Sequence, residues 1–439
     1  MYTLSMHIFG GGERVPMLHD ARGLPLFYPT LFATSQLRNA GAAVNTIVNT
    51  LRDVLVLLRW ESRQTPARNL EREFSNGNFL TLADVVSLRD FASLDMRHVE
   101  DISSDGRTLA NNVVLLEART ATVSSSPTVE GQQHYNRMSS IANYLEFLGS
   151  AITQHQNSPK FAAEIARMAK LIRKHRPRGL ARRHQDDRDE KSPPTELVER
   201  FMAVVAYESP ENPFRDPSVR LRNAILFALL QYTGIRRGEL LSLRIDQIDL
   251  GDEPQVWVRR NHDDLLDSRR YQPLAKTKER PIPIPEGLAN LIHEYVMKHR
   301  ARIKSARQHP YLLVTHHKGE HWGKPMSLSS VGRIMETMRS VNDAFGDIHP
   351  HAFRHHFNYD LSVAIDAHNA RVRHGAAPGE QTLISEGREL DIRAFLAGHW
   401  SKASGAVYNK RHIREVSDKA VRELQSGLGR VIRGRRVSS

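Results

Sequence analysis

Cysteine is absent from the 439-residue chain. Its absence excludes a disulfide framework, cysteine-ligated zinc or iron–sulfur sites, and a thiol nucleophile. Long apolar runs are missing too. The best is 224–230, ended by Gln231, far short of a membrane span. The amino terminus has neither the basic start nor the apolar stretch of a secretory signal, so an intracellular location is the simplest expectation. Acidic residues are in deficit: Asp plus Glu is 49 against 62 for Lys plus Arg, a net charge of +13.

What is present is a globular composition, 40% apolar and 25% charged. The length suits roughly two to three domains. The positive excess favours a polyanion, with nucleic acid the default partner. It is concentrated in 160–183, which holds nine basic residues against the single acid Glu164. Arg173, Lys174, Arg176, Arg178, Arg182 and Arg183 are its candidate nucleic-acid contacts, and composition alone does not choose between DNA and RNA. A second basic cluster, Arg430, Arg433, Arg435 and Arg436, closes the chain. The bland alternative is a solvated helix face and a charged tail.

Residues 1–30 carry Gly10, Gly11, Gly12, Pro16, Pro25 and Pro29 and read as an arm or small hairpin. Helical periodicity follows. Ile47, Leu51, Val54, Leu55 and Leu58 form one stripe, a short helix is expected over 82–93, and 135–148 repeats the amphipathic pattern. Residues 103–131 read as loop-rich. A polar stretch, 184–194, ends in a Pro pair and reads as a linker, with Ser192 or Thr195 as the cap of the next helix. Beyond it, 196–207 and 219–232 read as helices, 254–259 and 280–285 as strands, and 311–315 as a third strand. Helices then dominate. The expected class is mainly α with a small β-sheet, arranged as a helical domain followed by a mixed one.

Three segments carry chemistry. Thr233-Gly234-Ile235-Arg236-Arg237-Gly238-Glu239-Leu240 reads as a helix end with a left-handed glycine, an Arg aimed into a cleft and a supporting Glu239 within helical reach. His351 and Arg354 share a helix face beginning at Pro350. An imidazole and a guanidinium together suit a phosphoryl group, the one handling a proton and the other gripping oxygens. The neighbouring His355 and His356 have no carboxylate or thiol at ligand spacing, which argues against a metal. Leu396-Ala397-Gly398-His399 is followed, nine residues past His399, by Tyr408, an oxygen nucleophile if its developing charge is stabilised. Taken singly, each segment fits a surface pair, a helix face or a core aromatic equally well.

Their order is more specific than any one of them. The sequence resembles the tyrosine recombinase (phage integrase) family. That family orders an Arg in a Thr-Gly-x-Arg-x-x-Glu-Leu turn, a Lys on a β-hairpin, His-x-x-Arg, Leu-x-Gly-His and a Tyr nine positions on. Here these are Arg236, Lys276 before Arg280-Pro281-Ile282-Pro283, His351 with Arg354, His399, and Tyr408. The resemblance implies an arm (1–30), a helical core-binding domain (31–183), a linker (184–194), a catalytic domain (195–425) and a basic tail (426–439).

It implies a site-specific DNA recombinase or integrase that serves integration, excision or transposition of a mobile element. Tyr408 would form a 3′-phosphotyrosyl link and free a 5′-hydroxyl. Arg236 and Arg354 would neutralise the phosphate, Lys276 would protonate the leaving oxygen, His351 would handle the tyrosine proton and His399 would bond the phosphate. No cofactor and no metal is expected. The implied partners are double-stranded DNA and three further copies of the chain in a homotetramer, with accessory proteins left open and no membrane. The implied location is a bacterial cytoplasm, at the nucleoid. Lys278 competes with Lys276, and Arg237 adjoins Arg236. The stretches 260–274 and 371–386 read as insertions. A non-catalytic DNA-binding protein on the same fold and a type IB topoisomerase-like enzyme are the alternatives.

Overall fold

The computed structural model describes residues 2–97, 127–156, 158–177, 193–275, 277–374, 382–398 and 421. Residues Met1–His184 and Gln185–Ser439 form two compact units. Among the described residues both are mainly helical, each with one small antiparallel sheet. No helix among the described residues is long and apolar enough to cross a membrane.

The first unit opens with the expected hairpin, β1 (Thr3–Ile8) paired with β2 (Arg14–His19). It is part of the unit's packing, since Leu18 is fully buried with the helices. Helix α1 (Phe27–Phe32) and a following π-helical turn (Ala33–Arg38) lead into α2 (Val44–Ser62), α3 (Leu70–Ser75) and α4 (Leu82–Ala92). Thr81 caps α4, accepting from the Asp84 N–H while Asp84 accepts from the Thr81 N–H, the reciprocal arrangement that satisfies two orphan donors. Helices α5 (Gly131–Thr153) and α6 (Pro159–Lys174) complete the unit.

The stripe expected on α2 is wider than one face. Ile47, Leu51 and Val54 are buried, but Leu55 and Leu58 are only half-buried, and Val48, Val56, Leu57 and Trp60 are buried instead. The helix is enclosed by β2, α4 and α5, so a single stripe underestimates its contact surface. The expected loop 103–131 falls almost wholly outside the described residues.

The second unit runs through α7 (Thr195–Val205), α8 (Pro217–Thr233), the short α9 (Arg237–Ser242), a sheet of β3 (Ile248–Asp249), β4 (Gln255–Val258) and β5 (Arg280–Pro283), then α10 (Glu286–Glu294), α11 (Leu328–Arg339), α12 (Pro350–Arg373) and α13 (Glu386–Ala397). The N-cap of α7 is Pro194, without a side-chain cap bond; Thr195 is already helical. Residues 311–315 are not a strand. Tyr311 and Val314 make isolated bridges to Arg244 and Pro325, and the sheet's third strand is β3. Helix α12 extends to Arg373, so the insertion expected from 371 begins as helix.

An aromatic cluster fixes α12. Phe201 of α7 packs edge-on against Phe227 of α8 (4.8 Å between centroids) and against Phe353 of α12 (5.6 Å), with Phe345 at 5.1 Å. All four are fully buried. Each contributes roughly 1.5–3 kcal/mol by burial. Because Phe353 is locked, its neighbour Arg354 is held at one azimuth.

Candidate active site

Helix α8 ends at Gly234, in the left-handed region at φ 58°. A Cβ there would collide with the Phe357 ring of α12. Both the backbone conformation and the close approach therefore require glycine. Thr233 tightens the turn by donating its hydroxyl to the Leu229 carbonyl. Arg236 is the N-cap of α9, and its N–H donates to Glu239 Oε2 at 2.9 Å. Its guanidinium lies 3.6 Å from Glu239 Oε1, with the side chain 34% exposed and that of Glu239 1%.

Glu239 is a junction. Its carboxylate accepts from Thr277 Oγ1 (2.6 Å) and from Arg280 Nη2 (3.1 Å) as well as from Arg236. Burial pushes its pKa up. The Arg280 charge, the Thr277 hydroxyl, the Arg236 N–H and the Arg354 charge outweigh that and hold it below the usual carboxylate range.

Helix α12 begins at Pro350, with His349 as its cap: His349 Nδ1 accepts from the Ala352 N–H at 2.8 Å. Arg354, 1% exposed, spans two distant loops. Nη1 donates to the Gly234 carbonyl and Nη2 to the Ala397 carbonyl, each at 2.8 Å. His351 is exposed, and its ring lies edge-on to that of His355, 4.8 Å between centroids. Desolvation, then the charges of His355, Arg354, His349 and Arg236, lowers its pKa to about 4. The imidazole is therefore neutral near pH 7.

The β4–β5 hairpin and the end of α13 close the arrangement. Arg280 Nε donates to the Leu396 carbonyl (2.7 Å), and Nη1 to Thr277 Oγ1 (2.8 Å) and the Lys278 carbonyl (3.2 Å). The Lys278 N–H donates to the Gly398 carbonyl at 3.1 Å. Gly398 caps α13 in the left-handed region, φ 63°.

Residues 196–410 match the model of the phage integrase family. Over those residues the second unit is similar to the phage integrase family. A tyrosine recombinase XerD of Halalkalibacterium halodurans is 28% identical over 144 residues, 33% of this chain and 41% of that protein. A tyrosine recombinase XerC of Staphylococcus epidermidis is 29% identical over 138 residues, 31% of this chain and 39% of that one. The chain thus spans about two fifths of the length of these curated relatives. A solved structure of a XerH site-specific recombinase bound to palindromic difH substrate aligns with 88% of this chain and 84% of its own, at 14% identity and a TM-score of 0.46.

Within the second unit, Arg236, Glu239, His351 and Arg354 come together with the chain neighbours of Lys276 and His399. Lys276, His399 and Tyr408 themselves lie outside the described residues, as do Arg178, Arg182 and Arg183. In the first unit, Arg173 pairs with Glu146 and donates to Asn143. Arg176 donates to Ser139 and to the Arg173 carbonyl and stacks over Tyr135, 4.5 Å from the ring centroid. Arg173 and Arg176 therefore hold α6 to α5. Lys174 ends α6.

Arg280 escaped the motif reading. Its signal is strand alternation, because β5 buries Arg280 with Ile282 and leaves Pro281 and Pro283 outward. The expected insertion 260–274 is also tied down. Arg269, 7% exposed, pairs with Asp267, donates to the Leu241 and Met326 carbonyls and stacks on Tyr311. No group of three or more His, Cys, Asp or Glu among the described residues is arranged to hold a metal ion.

Proposed function

We propose that this chain is a tyrosine-type site-specific DNA recombinase that cuts and rejoins duplex DNA to move a mobile element. The observation that carries the reading is the pair of hydrogen bonds that Arg354 donates to the Gly234 and Ala397 carbonyls. They draw two other segments of the motif to Arg354, from 120 and 43 residues away in sequence.

In this mechanism the Tyr408 oxygen attacks the scissile phosphorus. The Tyr Oη–P bond forms, the P–O5′ bond breaks, and the product is a 3′-phosphotyrosyl link. The phenolic proton passes to neutral His351. The 5′-oxygen takes a proton from Lys276. Arg236, a third exposed, forks onto the non-bridging oxygens, and the buried Arg354 adds its charge from within, where a low dielectric strengthens it. His399 donates to the phosphate. Rejoining reverses each transfer, and the covalent link conserves the bond energy. Synapsis of two sites takes four copies of the chain. Lys160, Arg167, Lys170 and Lys174 supply phosphate contacts from α6, so binding weakens steeply with salt.

Nicked duplexes from the ends of the element that carries the gene test this directly. The nick lets the short 5′-product diffuse away and traps the covalent complex. Wild type should give a protein–DNA adduct on a denaturing gel without metal or nucleotide, and Tyr408→Phe should give none. Binding without any adduct would favour a regulatory, non-catalytic protein. Relaxation of plasmids that lack the site would favour a topoisomerase.

A further inference from the structure

Arg280 carries a full charge at a core position, 1% exposed. It therefore does not meet a DNA backbone itself. Its fork serves three pieces of chain at once: Glu239 of the Arg236 turn, Thr277 and Lys278 of the hairpin, and Leu396 before Gly398. The fit is close. A Cβ on Gly398 would sit 2.5 Å from Arg280 Nη1 and 2.7 Å from Thr277 Cβ. Only a planar guanidinium reaches acceptors in these directions together; an ammonium on a flexible stem does not. Burying such a charge is expensive unless its position is used.

We infer that Arg280 is a positioning residue for proton delivery to the leaving group, acting through Thr277 and Lys278, which follow the proposed acid Lys276 in the chain. The inference rests on the strand-transfer reading above. In the step concerned, the P–O5′ bond breaks with its electron pair staying on O5′, which takes a proton from the Lys276 ammonium. Arg280 itself touches no reacting atom. It fixes Thr277 and Lys278, the residues that follow Lys276, against the 396–398 turn.

Replacing the bridging 5′-oxygen by sulfur separates this role from a general structural one, because a thiolate leaves without being protonated. Arg280→Met and Arg280→Lys are compared with wild type and Lys276→Ala on oxygen-bridged and sulfur-bridged nicked duplexes, with thermal melts alongside. On the oxygen substrate, adduct formation by Arg280→Met should fall on the order of 100-fold, the usual size of a lost general acid. On the sulfur substrate it should return to within about threefold of wild type, as for Lys276→Ala. Equal losses on both substrates, or unfolding of both Arg280 variants, would overturn the positioning role while leaving the strand-transfer reading intact. A wild type that forms no Tyr408-dependent adduct on either substrate would overturn both.

Discussion

The two units treat buried charge differently. In the first, the buried polar side chains among the described residues are Arg14, His19, Arg137 and Thr153; in the second, the arginines alone include Arg222, Arg269, Arg280, Arg300, Arg354 and Arg393. Arg137 donates to the Ala92 and Leu94 carbonyls at the end of α4, and Asp53 lies 3.9 Å away. It stabilises one helix end. Its partners lie 45 and 43 residues away, as far as some of those of Arg354 and Arg280; the difference is that the segments joined by Arg354 and Arg280 flank the proposed catalytic residues. Aliphatic packing suffices to hold helices side by side. Holding loops at fixed separation requires directional bonds, and a guanidinium offers more of them than any other side chain.

The largest expected effect comes from setting the two arginines against each other. Arg354→Met strands two carbonyls and should lower stability by about 3 kcal/mol. It should also slow adduct formation by DNA-bound protein by roughly 100-fold or more. Arg137→Met should lower stability by a similar amount, about 2 kcal/mol, and leave that rate unchanged. Thermal melts and single-turnover adduct assays measure both quantities. Equal rate losses would mean that burial, rather than location, governs the effect, and the contrast between the units would collapse.

Glycines sharpen the comparison at a smaller scale. Gly41 in the first unit and Gly234 in the second both have positive φ, 79° and 58°. A Cβ on Gly41 meets nothing, whereas one on Gly234 meets Phe357. Gly41→Ala should therefore cost about 1 kcal/mol, the left-handed penalty alone. Gly234→Ala should cost about 3 kcal/mol, because the ring must also shift. Chemical denaturation midpoints decide this. Phe357→Leu should recover part of the loss in Gly234→Ala and nothing in Gly41→Ala.

Gly234 was legible in the sequence because a helix-ending glycine between Thr233 and Arg236 is a local signal. The same holds for Pro350 at the start of α12. Arg280 and Arg269 were not legible as hubs. An arginine has the same letter on a surface as in a core, and its partners, Leu396 or Met326, lie far along the chain. Residues 311–315 are apolar enough for a strand but have no continuous partner, since pairing is a non-local property. The α2 stripe misjudged Leu55 and Val56 because periodicity assumes one covered face. Motif order marked the candidate site, but the bonds that join its described residues are visible only in three dimensions.

The smallest effect is a difference of sign with pH. In the first unit, burial raises Glu61 to about 7, with Glu71 and Glu73 adding to it, and raises Asp53 to about 6. Folded Glu61 keeps its proton where the unfolded chain, at 4.5, has lost it. The unfolded state then binds fewer protons, so this unit loses stability as pH rises from 4.5 to 7. In the second unit, burial lowers His316 to about 4, with Arg222 contributing. Between 4 and 6.5 the unfolded chain binds a proton that this folded imidazole refuses, so this unit gains stability as pH rises through that window. Hydrogen exchange on the whole protein at pH 5 and pH 6.5, corrected for intrinsic rates, should show α2 less protected and α8 more protected at the higher pH. Each change should be on the order of 1–2 kcal/mol. Slopes of the same sign would mean that the two cores unfold as one cooperative unit, and the two treatments of buried charge would then share a single stability.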